Sequence, residues 1–528
     1  MPSSKQLVLI GLALLVATLA FAMRLIVGIA EPLWIDELHT AWCIDDTIGA
    51  VSRRAAQGNQ TPLYFWMEWL VCNQFGLTEF WLRLPSMVCS SLTAVVASLL
   101  VWSFNRSLIT ATTTGLLIAI DPLFIFYGSE ARPYALLHLL SVVQVFVFIH
   151  EVRLHRQPAT SSSRRHFNPW LAILTGSLLL THLTAVSLIV AELFFLLAFC
   201  RWFPAKRAAV SIGVGCLALI PMAWLAQDVF SKRQDWQTVS DSNRLFQQLW
   251  PVLVVYAVTP VVICLPGWWR QHFQPAADPP TAIRLMRWLA LMLAWGLTPV
   301  VLLWLADLSG FAPAAMNRYA QVGALAWPVL CGVLLATIGS RSYRTVASVL
   351  ILVAAIGSSG IWPSLLNDGT PGHYRDENWA AAVNLINSEA SEGTVFLFSN
   401  LIEDHQALLR AGSGPNGNKR VDPLPYLSFP VTGIHKIKPG LTVIPRPTLQ
   451  AGRFTRHDLK AVREKNEAWL LIRGQPGLVN AITREFENTL QLGANQSFQI
   501  DVRELPGSRI YVVKISIVQN INDRSLSE

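Results

Sequence analysis

Residues 31–42 read EPLWIDELHTAW, with two adjacent carboxylates, Asp36 and Glu37, set among tryptophans and aliphatic residues. A carboxylate beside an incoming hydroxyl can take its proton as a new bond forms, a step worth about two to four orders of magnitude. If the stretch is helical, Trp34, Leu38, Ala41 and Trp42 line up as one apolar stripe. Asp36 then points nearly opposite the stripe and Glu37 lies on its flank. Neighbours on a helix do not share a direction, so the pair divides roles. One carboxylate faces the space above the apolar surface and the other makes a local contact. The plain alternative is a helix lying in a membrane interface with a solvated acidic face.

Cations that could hold an anion recur further along. Arg83 stands in WLRLPS, Glu130 and Arg132 in GSEARPY, and Arg318 in NRYAQ. Arginine stays charged and grips phosphate through two parallel hydrogen bonds. Arg83 taken alone also reads as a snorkelling side chain. Glu130 can bind an acceptor, hold a divalent metal with Asp36, or pair with Arg132 two residues on; the pairing is slightly favoured. His182, in THLTA, caps a helix or packs. In GNQTPLYFWMEWL, Thr61 suits an N-cap and Pro62 the first helical position. Tyr64, Trp66 and Trp69 fit an aromatic belt at a membrane surface.

The elements that must carry these residues are visible in composition. Of the 528 residues 52% are hydrophobic and 14% charged, against about 25% charged in soluble domains. Apolar runs about as long as a bilayer crossing recur about eleven times. They lie near 6–30, 82–104, 108–127, 133–150, 169–181, 185–201, 208–225, 249–266, 287–306, 319–338 and 345–365. The fifth and sixth are divided at THLTA. Alternating them from a cytoplasmic N-terminus puts Arg106, Arg153, Arg156, Arg164, Arg165, Arg201, Lys206, Arg207, Arg270, Arg284, Arg341 and Arg344 inside, the positive-inside pattern. Topology thus accounts for most of the net charge of +8, and no nucleic-acid partner is needed. Arg24 and the length of the first run favour a retained anchor over a cleaved signal. Arg24, Asp121 and Glu192 fall inside apolar runs and should face the bundle. Asp121 precedes Pro122 and reads as a helix breaker.

Residues 1–365 form the multi-spanning part and 366–528 a polar domain. There, GTVFLFSN, EAWLLIRG, QSFQIDVREL and RIYVVKISIV alternate with helical DENWAAAVNLINSEA and PGLVNAITREFENTL, suggesting a small α/β domain. An odd number of crossings places it outside the cytoplasm. The glycines at 412, 414 and 417 match G-x-G-x-x-G, but a helix precedes them and Pro415 interrupts, so they read as a loop. All seven cysteines lie in or beside the membrane part without a C-x-x-C pair, and no zinc site or disulfide framework follows.

The order W-x-D-E, P-L-Y, R-L-P-S, EARPY, TH and RY, with DENWAAAVNLI after the last run, spans roughly residues 1–400. It resembles the GT-C glycosyltransferases, in the branch of the protein O-mannosyltransferases and the lipid A aminoarabinose transferase. That resemblance implies a polytopic α-helical membrane protein of GT-C type, with about 11 transmembrane helices and a C-terminal extracytoplasmic α/β domain. It implies a polyprenyl-phosphate-linked sugar donor, an acceptor that is a lipid, glycan or protein, and a place in the bacterial inner membrane. It assigns Asp36, Glu37 and Glu130 to catalysis, with Asp36 and Glu130 as candidates for a possible divalent metal. Arg83, Arg132, Tyr134, His182, Arg318, Tyr319 and Tyr64 fall to substrate, Arg132 and Arg318 near the lipid phosphate. Many members read H-P-P-L-Y where this chain has Gln60-Thr61-Pro62-Leu63-Tyr64, which puts any role of that histidine in doubt. The rival reading is a transporter or flippase for a lipid-linked glycan, which would favour paired discontinuous helices and inverted repeats.

Overall fold

The computed structural model describes residues 4–154, 167–200, 205–223, 254–263, 279–310, 317–399, 423–448, 453–492 and 495–519, with single positions at 247 and 265. The glycine-rich stretch 412–417, Arg156, Arg164, Arg165, Arg201, Arg270 and parts of the runs 208–225 and 249–266 lie outside the described residues. The chain divides into two compact units. One comprises Met1–Ala30, Thr47–Gly76 and Phe80–His373; the other comprises Glu31–Asp46, Leu77–Glu79 and Tyr374–Glu528.

The first unit is helical and spans a membrane. Five described helices are long and apolar enough to cross: Gln6–Ala30, Glu79–Asn105, Tyr134–Arg153, Arg287–Leu308 and Arg341–Ser359. Their faces carry exposed Leu14, Leu15, Leu92, Leu305 and Val353, as surfaces in hydrocarbon do. A bent pair, Leu108–Ile120 and Pro122–Gly128, makes a sixth candidate. The remaining apolar helices, Pro169–Thr181, Leu183–Ala198, Val254–Ile263 and Gln321–Ala336, are shorter. Among the described residues, length singles out five or six candidate crossings; the runs 208–225 and 249–266 are described only in part.

The break at Asp121 shows how one is stabilised. Pro122 has no N–H to offer the turn before it, and the axis bends by 63°. Asp121 turns its carboxylate to the amide of Leu123, at 2.8 Å, and caps the next helix. Its other oxygen accepts from the Tyr256 hydroxyl. The carbonyls released behind the break are taken by Arg24, which donates to Ile118 O at 2.9 Å and Ala119 O at 2.6 Å. Arg24 is fully buried and also reaches Ser90 Oγ and Ala20 O. It faces the bundle, as expected, and satisfies a broken helix. Gly128 is the last residue of this segment, and a Cβ there would lie 2.4 Å from Ser90 Oγ, so a side chain does not fit without a shift.

The second unit holds a five-stranded sheet in the order β2-β1-β3-β5-β4. The strands are β1 Gly393–Phe398, β2 Leu441–Pro445, β3 Glu467–Arg473, β4 Gln496–Glu504 and β5 Ile510–Gln519. β1 pairs in parallel with β2 and β3, while β5 runs antiparallel to β3 and β4. Helices Trp379–Glu389 and Pro476–Leu490 follow the expected stretches. The parallel strand β1 is buried through its length and β3 at Ala468–Ile472, as crossover strands are, and their core is closed by Phe454, Val479, Ile482 and Phe486.

Candidate active site

Within the helical unit, five of the expected residues meet although they come from three separate stretches. Arg132 lies in the turn after Pro122–Gly128, where its amide donates to Glu130 O at 2.9 Å. Tyr134 opens the next helix. Its ring lies 5.5 Å from that of His182, which lies 6.1 Å from Tyr319. The Arg318 guanidinium stands 5.4 Å from the Tyr319 ring centre. Glu130, Arg132, Tyr134 and His182 are all buried. The patch is thus two guanidiniums around an imidazole and two phenols.

His182 occupies the break between Pro169–Thr181 and the helical stretch beginning at Leu183, the division expected at THLTA. It caps the following turn: Nδ1 accepts the Thr184 amide at 3.3 Å and lies 2.8 Å from Thr184 Oγ1. An imidazole nitrogen that accepts an N–H carries no proton, so the ring proton is on Nε2. Burial first, then the charges of Arg132 and Arg318, press the imidazole down to about 3. His182 is both the cap and a neutral N–H donor beside two cations.

Two further expected residues of this unit, Arg83 and Tyr64, are buried in it. Arg83 is fully buried and donates to Gly28 O at 2.7 Å, in the last turn of the first helix. That is a helix-end contact, not a side chain reaching for water. Tyr64 leaves the aromatic belt and turns inward: it is buried, and its hydroxyl lies 2.8 Å from Ser86 Oγ. Ser86 Oγ in turn donates to the Arg132 carbonyl at 3.4 Å. Glu68, one turn on from Tyr64, is a buried acid of the same helix. The helix here starts at Leu63 with Pro62 as its cap, so Thr61 is not the capping residue.

The acidic pair belongs to the second unit. Helix Ile35–Ile44 is buried at every residue except Asp36. It is not the one-sided interface helix that its apolar stripe suggested; Trp42 packs against Tyr426 at 4.7 Å, and His39 against the same ring at 5.4 Å. Glu37 is fully buried, accepts the Trp34 amide at 3.4 Å and lies 3.4 Å from Arg375 Nε. Arg375 also holds Glu31 at 2.7 Å. The pair is therefore divided: Glu37 is enclosed by protein contacts, and Asp36 is the half-exposed carboxylate.

Glu31, Glu68, Arg375 and Glu377 are buried ionisable residues that were not singled out by sequence reading. A lone acid inside LYFWMEWL is a detectable signal for Glu68; Glu31 pairs with Arg375 344 positions away and Glu377 with Arg473 96 positions away, and such long-range pairs leave none. Among the described residues no group of three or more His, Cys, Asp or Glu side chains is placed to hold a metal ion. Asp36 and Glu130 fall in different units.

The comparisons with known proteins bear on the fold. ArnT from Cupriavidus metallidurans bound to undecaprenyl phosphate superposes with a TM-score of 0.50 at 16% identity, over 98% of this chain and 98% of that one. The same protein in its apo state gives 0.51 at 14% identity, over 96% and 97%. This chain shares the fold of that protein. The oligosaccharyltransferase of Archaeoglobus fulgidus in its apo form matches at a TM-score of 0.44 and 12% identity, over 87% of this chain and 69% of that one, too slight a likeness to argue from. No family model and no curated protein sequence matches.

Proposed function

We propose that this GT-C-fold chain is an integral membrane glycosyltransferase that moves a sugar from a polyprenyl phosphate to an acceptor hydroxyl outside the cytoplasm. The observation that carries the reading is the buried patch of the helical unit. Arg132 and Arg318 flank a His182 that stays neutral and presents an N–H. Two fixed cations and a neutral donor suit a phosphate and stabilise the charge that grows on it as the sugar departs. Tyr134 and Tyr319 supply hydroxyls and ring faces to the same ligand.

In the proposed reaction the acceptor oxygen attacks the anomeric carbon as the bond from that carbon to the phosphate oxygen breaks. The phosphate leaves with the electron pair, and Asp36 receives the hydroxyl proton. A single displacement of this kind inverts the anomeric centre. Glu37, enclosed by Arg375 and the Trp34 amide, holds its segment in place rather than reacting. Glu130 stays with the frame around Arg132. ArnT, solved with undecaprenyl phosphate, is consistent with a lipid-phosphate donor here.

The topology that accompanies this reading has eleven crossings from a cytoplasmic N-terminus, with the 366–528 domain outside. The transporter reading would draw on the breaks at Asp121 and His182. Both are filled by the chain's own side chains, Arg24 and Asp121 at one and the His182–Thr184 cap at the other, so neither leaves a helix end awaiting a cargo. The test is incubation of purified protein with a panel of radiolabelled polyprenyl-phosphate sugars and membrane lipid or glycan acceptors. Transfer of label from at least one donor supports the proposal. Movement of intact donor across vesicles, without cleavage, contradicts it.

A further inference from the structure

The segment that carries Asp36 is mounted on the C-terminal sheet, not left as a loop between helices. Residues 376–378 are tied to the start of β5: Arg509 N donates to Asp376 O at 2.7 Å, and Asn378 N to Ser508 Oγ at 3.0 Å. Glu377, 1% exposed, accepts from Arg473 Nε at 2.7 Å and Arg509 Nη2 at 2.8 Å. Arg473 ends β3 and also donates to Ser399 O, just beyond β1. The carboxyl edge of the parallel strands is where open α/β sheets place what they bind. Here that edge holds residues 376–378.

From those residues the ties run on to the acidic segment. The second oxygen of Glu377 accepts the Ile35 amide and Trp379 Nε1, each at 2.9 Å. Arg375 binds Glu31 and lies beside Glu37, and the Tyr374 amide donates to Glu31 Oε1. The Ile35 amide is one of the first-turn donors that a helix cannot satisfy internally. Its carboxylate partner also places negative charge at the positive end of the helix dipole. Three buried carboxylates (Glu31, Glu37, Glu377) thus meet three guanidiniums (Arg375, Arg473, Arg509) on the residues flanking Asp36. Buried charge of this sort is costly unless fully paired, which makes the arrangement specific to one geometry.

We propose that Arg375 and Glu377 are positioning residues for Asp36, and that one task of the C-terminal domain is to hold the base. This deepens and rests on the glycosyltransferase reading. A carboxylate displaced by about 1 Å can cost on the order of a hundredfold in rate. A domain that only admits acceptor would change acceptor KM instead.

The experiment pairs two readouts on the full-length protein in detergent. Hydrogen–deuterium exchange of the peptide 31–44 is compared in wild type, Arg375→Lys and Glu377→Gln, with Arg503→Ala as a surface control on β4. Removing a charged partner of the Ile35 amide should speed its exchange on the order of tenfold or more, while β3 amides 468–472 keep their protection. In the same variants kcat should fall on the order of a hundredfold with donor KM within about threefold, Arg375→Lys being the milder. Arg503→Ala should match wild type in both, as exposed pairs contribute little. Unchanged exchange at 31–44 in Glu377→Gln overturns the mount. Faster exchange with wild-type kcat overturns the positioning role. Wild-type protein that transfers sugar from no lipid phosphate refutes the functional reading instead, and the exchange result then still decides whether the domain holds this segment.

Discussion

Lowering the pH should weaken this protein through His182, by an amount the structure sets. The imidazole is depressed from 6.5 to about 3, by burial first and then by Arg132 and Arg318. Between those values the unfolded chain binds a proton that the folded one refuses. Stability therefore falls as pH drops below 6.5, and the loss is complete near 3. Each pH unit in that window costs about 1.4 kcal/mol, so moving from pH 6.5 to 5 costs on the order of 2 kcal/mol. The residue is 7% exposed, which leaves solvent little room to relieve the penalty. His182→Asn isolates the contribution, because asparagine can still cap the Thr184 turn and does not titrate. Equilibrium unfolding of both proteins in detergent should show wild type losing about 2 kcal/mol more than the variant over this range. A difference that does not change between pH 7 and 5 would refute the argument that His182 is locked neutral beside two cations.

Arg24→Met should cost on the order of 2–6 kcal/mol, because the Ile118 and Ala119 carbonyls lose their donor and each buried unsatisfied group costs about 1–3; thermal unfolding against Arg24→Lys, which keeps part of the contact, checks this. Arg132→Ala and Arg318→Ala should raise donor KM or lower kcat/KM for donor by at least tenfold while acceptor KM moves little, with Arg132→Lys intermediate because a point charge lacks the fork. Initial rates over both substrates decide it, and a defect confined to the acceptor counts against the phosphate assignment. A cysteine introduced at exposed Ser391, in a domain whose sequence has none after Cys331, should react with an impermeant maleimide in spheroplasts; reaction only after lysis would place the domain in the cytoplasm.

What sequence revealed, and what it hid, follows the range of each interaction. The strands β1, β3 and β5 were legible from their apolar runs, and β4 from the alternation of polar and apolar residues in QSFQIDVRE. β2 was not: five residues, LTVIP, begin after Gly440 and end on a proline, with one residue fully buried. Helix breaks were legible where a local rule applies, as at Asp121-Pro122 and THLTA. At 317–325 the α-helix gives way to two 3₁₀ turns, and the freed Val322 carbonyl is taken by Trp295 Nε1 at 2.7 Å, a partner no local pattern announces. The same holds at the site. Division of labour between Asp36 and Glu37 follows from helix geometry, but the enclosure of Glu37 depends on Arg375, 338 positions away. Arg83, which alone also read as a snorkelling side chain, is instead buried and donates to the Gly28 carbonyl, since the end of a neighbouring helix offered an acceptor that sequence could not locate.

The central claim is that Asp36 accepts the proton of the acceptor hydroxyl during transfer from a lipid phosphate. The most direct measurement is single-turnover transfer of radiolabelled sugar from polyprenyl phosphate by wild type and Asp36→Asn, at equal amounts of folded protein and saturating donor. The amide is close in shape but cannot take the proton, so the rate should fall by about two to four orders of magnitude with donor binding retained. Transfer within threefold of wild type would remove Asp36 from the base role and contradict the account.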